Sequence, residues 1–165
     1  MPLAFTYLDS SVGRLKLVAS DQGLVAVLWQ NDKPMRVRLE EMAEEPDHPI
    51  LRQTSKQLNE YFAGKRTSFE IPLDMRGTPF QQEVWNALLA IPYGETRSYL
   101  DLAQRLGKPN ATRAVGAANG RNPVSIIVPC HRVIGSNGKL TGFAGGLDIK
   151  ERLLDLESGT KGLFA

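Results

Sequence analysis

The spacing of apolar residues changes once along this 165-residue chain, and that change limits what each half can fold into. It falls at residues 71–77, Ile-Pro-Leu-Asp-Met-Arg-Gly, which hold proline and glycine and no period of their own. Before it, residues 3–8, 14–19 and 24–29 are short runs rich in β-formers, separated by turn-forming residues at 9–13 and 20–23. The acidic stretch 40–49 reads as a surface loop. Residues 50–62 then place Leu51, Thr54, Leu58, Tyr61 and Phe62 at helical spacing, ended by Gly64. After the change, Thr78-Pro79 reads as an N-cap with proline at the first helical position, and Phe80, Val84, Trp85, Leu88 and Leu89 share one face. Ser98 can cap a short helix over 99–106, closed by Gly107-Lys108-Pro109, and a second short helix over 111–118 follows at once. Two short helices around a tight turn fit a helix-turn-helix. The expected fold class is therefore α/β: a small three-stranded antiparallel sheet with a helix over residues 1–76, then a mostly helical domain over residues 77–165. Residues 124–128 read as a buried strand leading into residues 129–133, and Trp29 and Trp85 read as core.

Nothing in the composition offers a covalent or metal staple. The chain has one cysteine, which excludes an internal disulfide framework and any zinc site of several thiolates, and its two histidines, His48 and His131, lie far apart. No metal and no cofactor are expected. Hydrophobic residues at 42% and charged residues at 23% are ordinary for a globular protein. The longest apolar stretch, residues 23–29, is far short of the ~20 residues that span a bilayer. No signal peptide is visible, so a soluble cytoplasmic protein is expected. Charge is uneven: residues 75–146 carry 8 Lys/Arg against 3 Asp/Glu, a net of +5, between acidic flanks. Such a middle suits an anionic partner or simply a solvated face. Within it, Ala111, Ala114, Gly116, Ala117, Ala118 and Gly120 leave one helix nearly bare, with Arg113 its one long side chain. Small residues permit either close helix packing or a smooth surface for a narrow groove.

The lone thiol sits in Pro129-Cys130-His131-Arg132-Val133. A single cysteine can be a small core hydrophobe. Beside cationic or hydrogen-bonding neighbours such as His131 and Arg132, its pKa can instead fall from ~8.5 and make it a nucleophile.

This pentapeptide resembles the active-site motif of the O6-alkylguanine-DNA alkyltransferases, the methylated-DNA–protein-cysteine methyltransferases. Residues 97–103 (Arg-Ser-Tyr-Leu-Asp-Leu-Ala), Arg113-Ala114-Val115-Gly116, Asn122-Pro123 and the loop Gly142-Phe143-Ala144-Gly145-Gly146 resemble further blocks of that family, in its order. Lys150 and Glu157 fall where the family has a lysine and a glutamate. The resemblance covers residues 77–157 and implies a ribonuclease H-like first domain and a winged helix-turn-helix in the second. It also implies a stoichiometric repair reaction, in which an alkyl group passes from O6-alkylguanine, and more slowly from O4-alkylthymine, to Cys130.

The same resemblance assigns roles to single residues. It makes His131 the base through a water, with Glu157 orienting it and Asn122 bracing the turn before Cys130. Tyr99 would assist the leaving guanine and crowd the rotating phosphate, and Arg113 would fill the space of the flipped base. Ala111, Thr112, Ala114, Gly116 and Ala117 would lie in the minor groove of double-stranded DNA. Val133, Phe143, Ala144 and Lys150 would form the base pocket, with main-chain groups of Cys130, Val133 and Ala144 reading the guanine edge. A monomer is implied, with cooperativity on DNA left open. Arg132 reads as an ion-pair partner. Two positions depart from the pattern: Phe143 stands where many relatives have tyrosine, and Ala144 where some have serine. A non-catalytic damaged-base binder, a Cys–His hydrolase and a transcription factor are the competing functions.

Overall fold

The computed structural model describes residues 2–34 and 36–159. Strands β1 (Leu3–Ser10) and β2 (Gly13–Ala19) form an antiparallel hairpin that pairs Ser10 with Gly13. Gly13 has φ of 101°, a backbone region glycine enters without a Cβ penalty, and Ser10 Oγ donates to its carbonyl at 2.6 Å. Strand β3 (Leu24–Leu28) lies beyond β2 and β4 (Met42–Glu44) beyond β1, giving the order β3-β2-β1-β4. β3 is apolar at every position because both its faces are covered. Leu24 and Val27 join the main core, while Val25 and Ala26 pack with Leu3 and Val18 beneath Phe5, Leu39 and Met42.

Helix α1 (Pro49–Phe62) starts where the His48 imidazole accepts the Ile50 amide at 3.2 Å, and it lays Leu51, Leu58 and Tyr61 on the sheet. Burial of each such side chain contributes about 1.5–3 kcal/mol. In the second half, α2 (Pro79–Leu89) and α3 (Tyr99–Arg105) each open with a reciprocal capping box, Thr78 with Gln81 and Ser98 with Asp101. Trp85 of α2 donates its indole N–H to the Ala118 carbonyl of α4 (Thr112–Gly120) at 2.9 Å, which seats α4 against the bundle. Strands β5 (Arg97–Ser98) and β6 (Val133–Ile134) pair in parallel beside the α3–α4 helix-turn-helix, and α5 (Leu147–Ser158) closes the fold.

The two halves share an edge of the sheet. Residues 72–74 bond to β3 through Leu24 N→Pro72 O and Asp74 N→Leu24 O, both 2.8 Å. Further along the same strand, Val27 N donates to Pro123 O at 2.9 Å. Gly23 lets the connecting stretch approach, since a Cβ there would meet Pro72 O at 2.8 Å. The segment before the cysteine is thus anchored on the N-terminal sheet.

Two expectations are corrected. The sheet has four strands rather than three, because residues 42–44, inside the stretch read as a loop, form β4 (Met42–Glu44), parallel to β1. Its bonds run through Leu3 N→Glu41 O and Glu45 N→Phe5 O, so a short charged edge strand forms without an apolar pattern. Residues 124–128 are not a strand. After a single bridge from Val124 to Val27, the chain turns tightly through Val128 N→Val124 O, and Ile126 takes φ of 73°. Its apolar run records burial rather than extension.

Candidate active site

That tight turn exists because Asn122 replaces a sheet ladder with its own side chain. Its Oδ1 accepts from Val124 N at 3.0 Å and its Nδ2 donates to Val128 O at 2.8 Å, all buried. Cys130 follows at the head of a single 3₁₀ turn, Cys130–Arg132, and is 5% exposed. Burial pushes its thiol pKa up, opposed by a hydrogen bond from Asn122 and by the charges of Arg36 and Lys150. Neither His131 nor Arg132 is among the groups that draw it down. The guanidinium of Arg132 is committed elsewhere, to Glu157 and to the Ile91 carbonyl at 2.7 Å. The shift favours the protonated thiol at rest.

The next residue in the chain is a histidine. His131 is fully buried, and its Nε2 lies 2.6 Å from Glu157 Oε2. Glu157 also accepts from Arg132 Nε at 2.7 Å, Arg132 Nη2 at 3.1 Å and the Tyr61 hydroxyl at 2.6 Å. Burial alone would raise the Glu157 carboxyl, but hydrogen bonds from His131 and Arg132, with the charge of Arg132, overcome it and hold the pKa down at about 2. For His131 the balance runs the other way: burial pushes the imidazole pKa down against the pull of Glu157. A neutral imidazole beside an ionised carboxylate carries its proton on Nε2, which leaves the Nδ1 lone pair free. Nδ1 is buried and has no hydrogen-bond partner.

Beside this centre lies a cleft of about 630 Å³, whose walls include Tyr99, Gly116, Ala117, Asn119, Phe143 and Ala144. Phe143 packs edge-on against Trp29 at 5.4 Å, and Gly145 is needed because a Cβ there would meet the Trp29 ring at 2.8 Å. Thr141 Oγ1 reaches the Tyr99 hydroxyl at 3.3 Å. On α4, Arg113, Ala114 and Ala117 are exposed, Thr112 and Gly116 half-buried, and Val115, Ala118 and Asn119 inside; Ala111 is the N-cap without a side-chain bond. Of the small residues, Ala118 packs inward, while Ala114 and Ala117 are bare to solvent.

Lys150 does not line the cleft. It is fully buried, and its Nζ donates to Val133 O at 2.5 Å and Thr141 O at 3.0 Å, bracing the loop that carries Phe143 and Ala144. Burial draws its pKa down to about 8. The Val133 carbonyl is accordingly already engaged.

The structure therefore gathers Cys130, His131, Glu157 and Asn122 at one buried centre and Tyr99, Gly116, Ala117, Phe143 and Ala144 around the cleft. His48 caps α1 instead. Two participants were not singled out as site residues from the sequence. Tyr61 is one, although its place on the apolar face of a helix signals a buried hydroxyl that must find a partner. Arg36 is the other: bound to Asp32 at 2.6 Å, it donates to Asn122 O at 2.8 Å from a loop without any period. Among the described residues no group of three or more His, Cys, Asp or Glu could hold a metal ion, and no helix is long and apolar enough to cross a membrane.

Comparison with known proteins finds matches to both halves of the chain. Residues 3–75 match the family described as 6-O-methylguanine DNA methyltransferase, ribonuclease-like domain, and residues 79–159 match its DNA binding domain. The methylated-DNA–protein-cysteine methyltransferase of Methanosarcina acetivorans is 50% identical over 153 residues, covering 93% of this chain and 97% of its own. That of Mycobacterium tuberculosis is 51% identical over 152 residues, covering 91% and 89%. The crystal structure of Mycobacterium tuberculosis OGT in complex with DNA superposes with a TM-score of 0.87 at 45% identity, covering 96% of each chain. With both of its domains matched in order and about half its residues shared with such relatives, the chain belongs to the 6-O-methylguanine DNA methyltransferase family.

Proposed function

We propose that this protein repairs duplex DNA by moving the alkyl group of O6-alkylguanine, and more slowly of O4-alkylthymine, onto Cys130, once per molecule. The observation that carries this reading is the buried centre that follows Cys130: His131 Nε2 lies 2.6 Å from Glu157 Oε2, and its Nδ1 is buried without a hydrogen-bond partner. His131 Nδ1 takes the thiol proton through a water, and Glu157 stabilises the imidazolium as it forms. The sulfur attacks the alkyl carbon in line with the guanine oxygen; an S–C bond forms, the C–O bond breaks, and the electron pair leaves on the base. Tyr99 supplies a hydrogen bond or proton to the leaving guanine. The product is a thioether, and with one cysteine in the chain no second thiol reverses it.

The target atom lies inside a base pair, so the nucleotide must leave the stack, at about a few kcal/mol. Exposed Ala114 and Ala117, with Thr112 and Gly116, allow close approach of α4 to the minor groove, where Arg113 occupies the vacated space. Phe143 and Ala144 wall the cleft that receives the base, with backbone groups reading its edge. The protein acts as a monomer in the cytoplasm. The Mycobacterium tuberculosis structure contains DNA, which supports the partner class.

Intact mass after mixing with duplex DNA containing O6-methylguanine tests this directly. One methyl on Cys130 is expected, and none in Cys130→Ala. Transfer by the alanine variant would overturn the site, and repeated turnover the single-use reaction.

A further inference from the structure

We infer that Tyr61, contributed by the N-terminal half, is a positioning residue of the transfer centre, its hydroxyl aiming the Glu157 oxygen that orients His131. The inference deepens the function proposed above and rests on it. Glu157 Oε2 receives His131 Nε2 and the Tyr61 hydroxyl, each at 2.6 Å, while Arg132 grips the carboxylate through Nε on Oε1 at 2.7 Å and Nη2 on Oε2 at 3.1 Å. Arg132 approaches from the same 3₁₀ turn as His131. Tyr61 comes from α1, 96 positions away in sequence from Glu157. Its aim is set by rings on several sides, Phe62 at 5.3 Å, Phe69 at 5.5 Å and Tyr93 at 6.3 Å, and it is fully buried.

The hydroxyl has an electrostatic consequence as well as a geometric one. A carboxylate oxygen shared among donors gives less of its charge to each. With Tyr61 in place, Oε2 holds the His131 N–H firmly while leaving the imidazole neutral, the form that can accept a proton. Removing the hydroxyl leaves Glu157 more basic toward His131, so the imidazolium becomes easier to form at rest. The other charged or titratable groups around His131 and Glu157 are Arg132, whose guanidinium lies 5.7 Å from the Tyr93 ring, Lys150 on α5, Cys130 and Tyr93 itself. None of these is altered by a change at Tyr61 that preserves the ring.

Tyr61→Phe in the full chain is the test, read by single-turnover methyl transfer from duplex O6-methylguanine across about pH 5 to 9 and by NMR titration of the His131 ring nitrogens. Expected are unchanged DNA affinity, a rate lower by roughly 10-fold, a His131 titration moved to higher pH, and an acid limb of the rate profile moved the same way. An unchanged rate and titration overturn the inference. So does a slower rate with an unmoved titration, which is what a purely structural tyrosine gives. In the unaltered protein, a protected Tyr61 hydroxyl proton whose resonance responds to His131 titration is expected, and an indifferent one overturns the inference without any variant. Failure of the unaltered protein to transfer methyl would overturn the proposed activity, while the His131 titration still decides the role of Tyr61.

Discussion

Glu157 counters the charge of a buried guanidinium and bonds a buried imidazole at once, and its replacement has a calculable direction. Glu157→Gln keeps the shape but leaves Arg132, 6% exposed, without a counter-charge. A destabilisation of about 3–5 kcal/mol is expected in urea unfolding, and a loss below about 1 kcal/mol would contradict the pairing. Acid should act through the same residues. Both Glu157 and His131 have folded pKa values below their unfolded ones, so the unfolded chain binds protons first and stability falls as pH drops. The loss should begin below the ordinary histidine value near 6.5 and continue, for Glu157, from 4.5 down to about 2. In Glu157→Gln the lower part of that slope should flatten. At this scale Cys130, His131, Asn122 and Glu157 were legible because they belong to one motif-bearing stretch and its following helix. Tyr61 was not, since a hydroxyl's partner across the fold leaves no trace in local spacing.

Helix α4 is the element through which DNA contact can be tested without disturbing the fold. Ala117 is exposed on it and lines the cleft, so Ala117→Glu should abolish duplex binding while leaving the melting temperature within about 1–2 °C. Comparable loss of both would mean the position is core. Arg113→Ala should weaken transfer from duplex DNA far more than reaction with free O6-benzylguanine, because a side chain that fills a vacated stack has no role on a free base. Equal losses would remove that role. Helix starts were readable at Thr78 and Ser98, whose reciprocal bonds span three residues. Strand β4 and the turn over 124–128 were not readable. One takes its bonds from β1, the other from the Asn122 side chain, and both override the apolar pattern.

The molecule as a whole has one principal core rather than two. Trp29 and Trp85, one from each half, belong to the same buried cluster, and Trp29 Nε1 donates to Ser125 Oγ at 3.1 Å across the boundary. Single-tryptophan variants, Trp29→Phe and Trp85→Phe, should therefore report coincident denaturant midpoints. Separated midpoints would mean the halves unfold independently. Coincident midpoints would make the boundary expected at residue 76 a change of texture, not of cooperativity. The edge of β3 is sealed by residues 72–74 and again at Pro123, and the second seal is made late in the chain. During synthesis from the N-terminus, the first sheet emerges from the ribosome with part of an apolar strand edge bare. It stays so until some fifty further residues have been added. The Val27 bond to Pro123 on that edge closes only as the segment bearing the cysteine is made.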